Sequence, residues 1–140
     1  MIKLEKRKDY NIMENNSGNG NLTVVSEEIS KKFNWGAFLL SWIWGIGNKT
    51  WITFVIFPAC FIPFVGGLVM LGLQIWFGIK GNEWAWQNKK FESVEQFHSN
   101  QKKWAIAGVI VAIIGIIWSA IMLYMCFTLH QFYTPTINNG

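Results

Sequence analysis

Apolar residues fall into three runs along the chain, separated by polar segments. The first, Phe33 to Ile46, is too short to cross a bilayer, which takes roughly twenty residues of helix. Wound as a helix, it gathers Trp35, Phe38, Leu39, Trp42 and Ile46 on one face. Asn34, Ala37, Ser41, Gly45 and Asn48 make a narrow polar or small stripe on the other. The pattern predicts an interfacial helix over 33–46, lying along a membrane surface with its stripe turned to water or to another helix. The competing reading is the first half of a longer buried helix.

The second run, 51–79, carries no charge but is broken by Pro58, Pro63 and the pair Gly66-Gly67. It reads either as one kinked span or as a short hairpin bent at Pro63–Gly67. Its length exceeds one hydrocarbon core and falls short of two. The polar stretch that follows places Trp84, Phe91, Val94 and Trp104 on one helical face, predicting an amphipathic surface helix over 82–104. Residues 105–129 are uncharged throughout and predict a transmembrane helix. Within it Gly108, Ala112, Gly115 and Ser119 form a small-residue stripe, the kind of face on which helices pack closely in lipid. Residues 1–25 read as a flexible tail, basic at Lys3, Lys6, Arg7 and Lys8 and then rich in Asn, Ser and Gly. Ser26 is placed to cap a helix beginning at Glu27 and Glu28. Residues 130–140 read as a neutral tail. The expectation is thus an all-α, small integral membrane protein with interfacial helices, its membrane domain covering 26–129.

Composition sharpens that class. The chain is 51% hydrophobic and 14% charged, against roughly 25% charged in a typical soluble domain. Nine Trp and eleven Phe suit membrane–water boundaries, and Trp35, Trp42, Trp84, Trp86 and Trp104 are the candidate interface anchors. The net charge of +4 comes from basic residues that flank apolar runs, which points to a membrane surface and not to nucleic acid. Were 51–79 a simple span, Lys80, Lys89, Lys90, Lys102 and Lys103 would lie opposite Lys31, Lys32 and Lys49, a poor match to retention of positive charge on the cytoplasmic side. A hairpin puts all twelve basic residues on one side, and charge therefore favours it. Residues 1–32 show no cleavable signal pattern. Cys60 and Cys126 lie inside apolar runs and read as packing residues.

Candidate chemistry is sparse. Glu95 and His98 have the E-x-x-H spacing, with Glu92 one turn earlier, but a di-iron site needs two such copies and further Glu residues. A solvated helix face is the simpler reading. No phosphate loop, nucleophile elbow or zinc-protease motif occurs, and no cofactor or catalytic residue is expected. Gln74 is the one strongly polar side chain in the second run, placed to hydrogen-bond a neighbouring helix. Around Gly81, Asn82 and Glu83 the sequence suggests a turn: Gly81 ending a helix, Glu83 pairing with Lys80 or capping the next helix.

The segments Phe33-Asn-Trp-Gly-Ala-Phe, Trp42-Ile-Trp-Gly and Gly78-Ile-Lys-Gly-Asn-Glu-Trp-Ala-Trp-Gln-Asn-Lys resemble an uncharacterised family of small membrane proteins of Gram-positive bacteria. The likeness continues through Glu92-Ser-Val-Glu-Gln-Phe and Gln101-Lys-Lys-Trp, covering about residues 31–118. It implies a multi-pass protein of the cytoplasmic membrane. Some of that family are labelled ribonuclease G, but this chain lacks the acidic metal site such a nuclease uses. Others carry an N-terminal zinc ribbon, whereas residues 1–30 here contain no cysteine. The expected function is non-enzymatic: binding or shielding a partner at the membrane, as a partner subunit or an immunity-type protein against a membrane-active peptide. The expected partners are the bilayer and itself, another membrane protein or a peptide. The alternatives are a small oligomeric transporter or channel near Gln74, or a membrane enzyme using Glu92, Glu95 and His98.

Overall fold

The computed structural model describes residues 15–20, 23 and 25–133, so the basic cluster at 3–8 and the tail beyond 133 lie outside the described residues. The described residues are helical, without strands. Helices α1 (Glu27–Ser30) and α2 (Trp35–Gly47) are followed by a 3₁₀ turn (Trp51–Val55). Then come α3 (Ile56–Ala59), α4 (Gly66–Asn88) and α5 (Val94–Tyr133). The chain divides into two compact units, Met1–Gly108 and Val109–Gly140.

Helix α2 is defined by its ends. Asn34 caps it, its side-chain oxygen accepting the Ala37 N–H at 2.9 Å. At the other end Lys49 turns left-handed (φ 56°). The Thr50 N–H then reaches the Gly45 carbonyl (2.8 Å) and the Lys49 N–H the Ile46 carbonyl (3.2 Å), the pairing of a Schellman motif. Ser41 departs from helical geometry with φ 40° and kinks the helix midway. The stripe decides which way α2 faces. Asn34, Ala37, Ser41, Gly45 and Asn48 are all buried, whereas Trp35, Trp42 and Ile46 point outward, Trp35 being 56% exposed. Of the two sequence readings, the stripe turns to other helices and not to water.

Close approach explains the glycines of that contact. A Cβ at Gly81 would lie 2.7 Å from the Ala37 Cβ, and one at Gly45 would lie 1.9 Å from Thr53 Oγ1. Gly81 therefore lies within α4, buried against α2, and does not end a helix as the sequence suggested. The reason for glycine is contact distance, not a left-handed turn. The 82–104 helix is likewise corrected: α4 runs through to Asn88, the chain breaks at 89–93, and α5 continues unbroken from Val94. The restart has a local cause. The Gln96 N–H donates to Ser93 Oγ (3.1 Å) and Gln96 Oε1 accepts from the Glu92 N–H (2.7 Å), close to a capping box. Beyond it, no residue stops helix propagation at the boundary between polar 94–104 and apolar 105–129.

Residues 15–20, expected within the tail, pack on the connector between α4 and α5. Ser17 is buried, its hydroxyl accepting the Phe91 N–H at 2.9 Å. The Gly18 N–H donates to the Trp86 carbonyl (2.9 Å) and the Trp86 indole N–H to Asn16 Oδ1 (3.1 Å). Composition leaves this segment without apolar surface to bury; its small polar residues instead satisfy backbone groups that the break at 89–93 leaves open.

Within the second unit α5 is exposed along its described length. One helix among the described residues, α5, is long and apolar enough to cross a membrane, so the structure supports a single such segment and not several.

Two glycines of α4 separate packing from propensity. Gly81→Ala should destabilise by about 2 kcal/mol because the methyl has no room. Gly72→Ala, with open space around it, should gain about 0.5–1 kcal/mol from helix propensity. Thermal unfolding of the purified protein in mild detergent reads both.

Candidate functional site

The first unit is built around a cluster of buried amides. Asn34 precedes α2, Asn48 follows it, Asn82 lies on α4 and Gln101 on α5, and all four are buried. Gln101 is the hub. Its Oε1 accepts from Asn34 Nδ2 at 3.0 Å and from the Trp44 indole N–H at 2.9 Å. Its Nε2 donates to Asn48 Oδ1 at 2.9 Å. Asn34 Nδ2 spends its second hydrogen on Asn82 Oδ1 at 2.8 Å. Asn82 Nδ2 donates to the Lys32 carbonyl at 2.7 Å, and Asn48 Nδ2 to the Trp44 carbonyl at 3.0 Å. The Asn34 N–H, finally, donates to the Gly78 carbonyl of α4 at 2.8 Å. Each amide oxygen and nitrogen in the cluster is thereby paired, the condition under which buried polar groups stop costing stability.

Aromatic rings enclose this centre. Trp44, Phe77 and Phe97 are fully buried, and Trp86, Phe91 and Phe97 meet at 5.1–6.0 Å between centroids. Trp104 lies against α2, where a Cβ at Gly47 would come within 2.1 Å of its ring and one at Gly36 within 2.7 Å of its Cβ. The five candidate anchors therefore separate. Trp35 and Trp42 are exposed and free to meet an interface. Trp84 is half-buried beside Trp76 and Phe77, and Trp104 is half-buried on the α2 glycines. Trp86 is a core residue, because its indole N–H is taken up by Asn16 inside the fold.

The acidic candidates do not converge. Among the described residues no three His, Cys, Asp or Glu side chains are grouped to hold a metal. Glu92 precedes the first residue of α5 and so does not lie one turn before Glu95 on a common helix. Glu95 is exposed; the hydrogen bond with its own backbone, then that with Ser93, holds its carboxyl below the ordinary value, with His98 adding to the effect. His98 is half-buried, and burial followed by the Lys32 charge lowers its pKa against the opposing pull of Glu28 and Glu95. Glu83 pairs with Lys80 at 2.8 Å. Gln74 is half-buried on α4, and its side chain makes no hydrogen bond among the described residues. In the small-residue stripe, Gly108 is buried against Leu39, Ala112 is half-buried, and Gly115 and Ser119 are exposed, Ser119 Oγ donating to the Gly115 carbonyl at 2.8 Å.

The chemistry of the buried cluster is that of a clamp. Carboxamides neither ionise near neutral pH nor act as nucleophiles, and here their hydrogen-bonding capacity goes to one another and to backbone. Sequence inspection placed Asn34 and Asn48 on one stripe and singled out Asn82 in a motif, but gave no sign that Gln101 joins them. Compared with protein-family models, curated proteins and solved structures, the chain matches none.

Replacing the hub tests the clamp. Gln101→Leu would leave the Trp44 N–H, an Asn34 N–H and Asn48 Oδ1 without partners and should cost about 3 kcal/mol or more. Gln74→Leu should change stability little by the same thermal measurement. For His98 the sign follows from its lowered pKa: the unfolded chain binds the proton more readily. Stability should hold above about pH 6.5 and fall below it. His98→Gln should flatten that acidic limb when the melting temperature is followed against pH.

Proposed function

We propose that the chain is a non-enzymatic protein of the bacterial cytoplasmic membrane that binds or shields a partner there. The observation that carries this reading is an inverted distribution of polarity. In the first unit amides are gathered at the centre, while Trp51, Ile52, Phe57, Phe61, Phe64, Leu68 and Leu71 face outward. In water such a surface would drive association, whereas lipid makes it inexpensive. The uncharged 105–129 stretch of α5 supplies a length that crosses a bilayer at 1.5 Å per residue. The motifs at 33–38 and 78–89, similar to those of small membrane proteins of Gram-positive bacteria, favour the same placement. Paired carboxamides inside and an aromatic surface outside favour binding.

The partner is a membrane protein or a membrane-active peptide met at the aromatic surface of Trp35 and Trp42, both exposed. Trp is among the residues most enriched where binding energy concentrates. Bacterial membranes carrying the chain should retain it through alkaline carbonate washing, and release into the supernatant would end the membrane reading. Cells that express it should survive higher doses of at least one agent in a panel of membrane-active peptides. Identical survival with and without it, across the panel, would eliminate the immunity role.

A further inference from the structure

We infer that residues 51–79 form a re-entrant hairpin, entering a bilayer and returning to the same face, with lipid acyl chains as the partner of its outer surface. The inference rests on the membrane reading above and adds topology and the contacting chemistry to it.

Four observations converge. First, the two limbs are closed at their base. Asn88 Nδ2 donates to Thr50 Oγ1 at 3.4 Å and Lys89 Nζ to the Gly47 carbonyl at 3.0 Å, so α4 ends where the first limb begins. Near the bend, Cys60 Sγ lies 3.7 Å from Met70 Sδ, and a Cβ on Gly66 would lie 2.8 Å from the Ala59 carbonyl. The limbs therefore run antiparallel and side by side. Second, the reach is intermediate. From Gly66 to Ile79 α4 is free of charge and rises about 21 Å before Lys80, less than the roughly 30 Å of a hydrocarbon core. A segment of that length enters the core without reaching the far headgroups.

Third, most of the bend's backbone N–H groups are paired within it, which hydrocarbon favours. The Cys60, Phe61, Ile62 and Val65 N–H groups donate to the carbonyls of Phe57, Pro58, Ala59 and Pro63 at 2.8–3.3 Å, and Pro63 has no N–H to satisfy. Two side-chain donors of the first limb are closed in the same way, Thr53 Oγ1 on the Thr50 carbonyl and Cys60 Sγ on that of Ile56. Fourth, the bend presents its largest side chains outward: Phe61 is 85% exposed and Phe64 105%. Phe64 also holds a left-handed backbone, φ 65°, where glycine would be free of strain. An aromatic ring kept at that cost, fully outside the fold, is accounted for by burial in a solvent that is itself apolar.

The test uses the full chain with Cys60→Ser and Cys126→Ser, reconstituted into phosphatidylcholine–phosphatidylglycerol vesicles. Phe64→Cys and, in a second variant, Phe61→Cys carry an environment-sensitive fluorophore. Brominated lipids with the bromine deep in the chain should quench either fluorophore several-fold more than aqueous iodide does. In separate variants, Lys49→Cys and Lys90→Cys should react with an impermeant thiol reagent from the same side of the membrane. Reaction from opposite sides would mean a crossing and overturn the hairpin. Stronger quenching by iodide than by brominated lipid, with the chain still resistant to carbonate, would mean that water and not lipid meets this surface; protection from both quenchers would mean that protein covers it; either would overturn the inference alone. Release of the same variants by carbonate would instead overturn the membrane reading beneath it.

Discussion

Everything in the first unit is arranged around the pairing of Gln101 with Asn34, Trp44 and Asn48. One side chain on α5 supplies both lone pairs and an N–H to three groups, at the start of α2, in its last turn and just past its end. Asn34 then carries the connection to Asn82 on α4. Because each amide is useful only if the others are in place, the cluster fixes the register of three helices together. Apolar packing alone would tolerate sliding; carboxamides at 2.8–3.0 Å do not.

That constraint explains the glycines and the outward tryptophans. For the amides to meet, α2 must come close enough to α4 and α5 that Gly36, Gly47 and Gly81 have no room for a methyl group, and Gly45 is closed off likewise by Thr50 and Thr53 of the turn that follows. The narrow stripe is consumed by these contacts, which leaves the broad aromatic face of α2 pointing away from the fold. An ordinary soluble helix has the reverse arrangement, with the apolar face inward. In the proposed membrane setting the two faces keep their usual logic, since lipid accepts the aromatic side and cannot accept the amides.

The candidate chemical groups among the described residues lie apart from the amide cluster. The titratable side chains at the start of α5 are exposed or half-buried, and Glu92 is separated from Glu95 and His98 by the helix start that Ser93 caps. The break at 89–93 is occupied by residues 15–18 of the chain itself, through Ser17 and Gly18. Much of the surface available to a partner is aromatic and apolar, and this is why recognition is the function proposed.

Local sequence determined the helical class, the three apolar runs, the bend near Pro63 and the length of the α5 apolar stretch, because each depends on composition and short-range periodicity. The stripe on α2 was legible as well, though not its direction. The S-x-x-Q at 93–96 is a helix-start signal present in the sequence, and the 82–104 reading, built on aromatic periodicity, does not use it. Tertiary structure alone decided three further points. Gly81 serves contact and not a turn, since only the position of Ala37 reveals the missing space. Trp86 is core and not anchor, since its indole N–H finds Asn16 seventy residues away. Gln101 is the hub, since a hydrogen bond between residues 67 positions apart leaves no periodic trace in the chain. Periodicity records which face of a helix differs from the rest; what that face meets is set by the other helices.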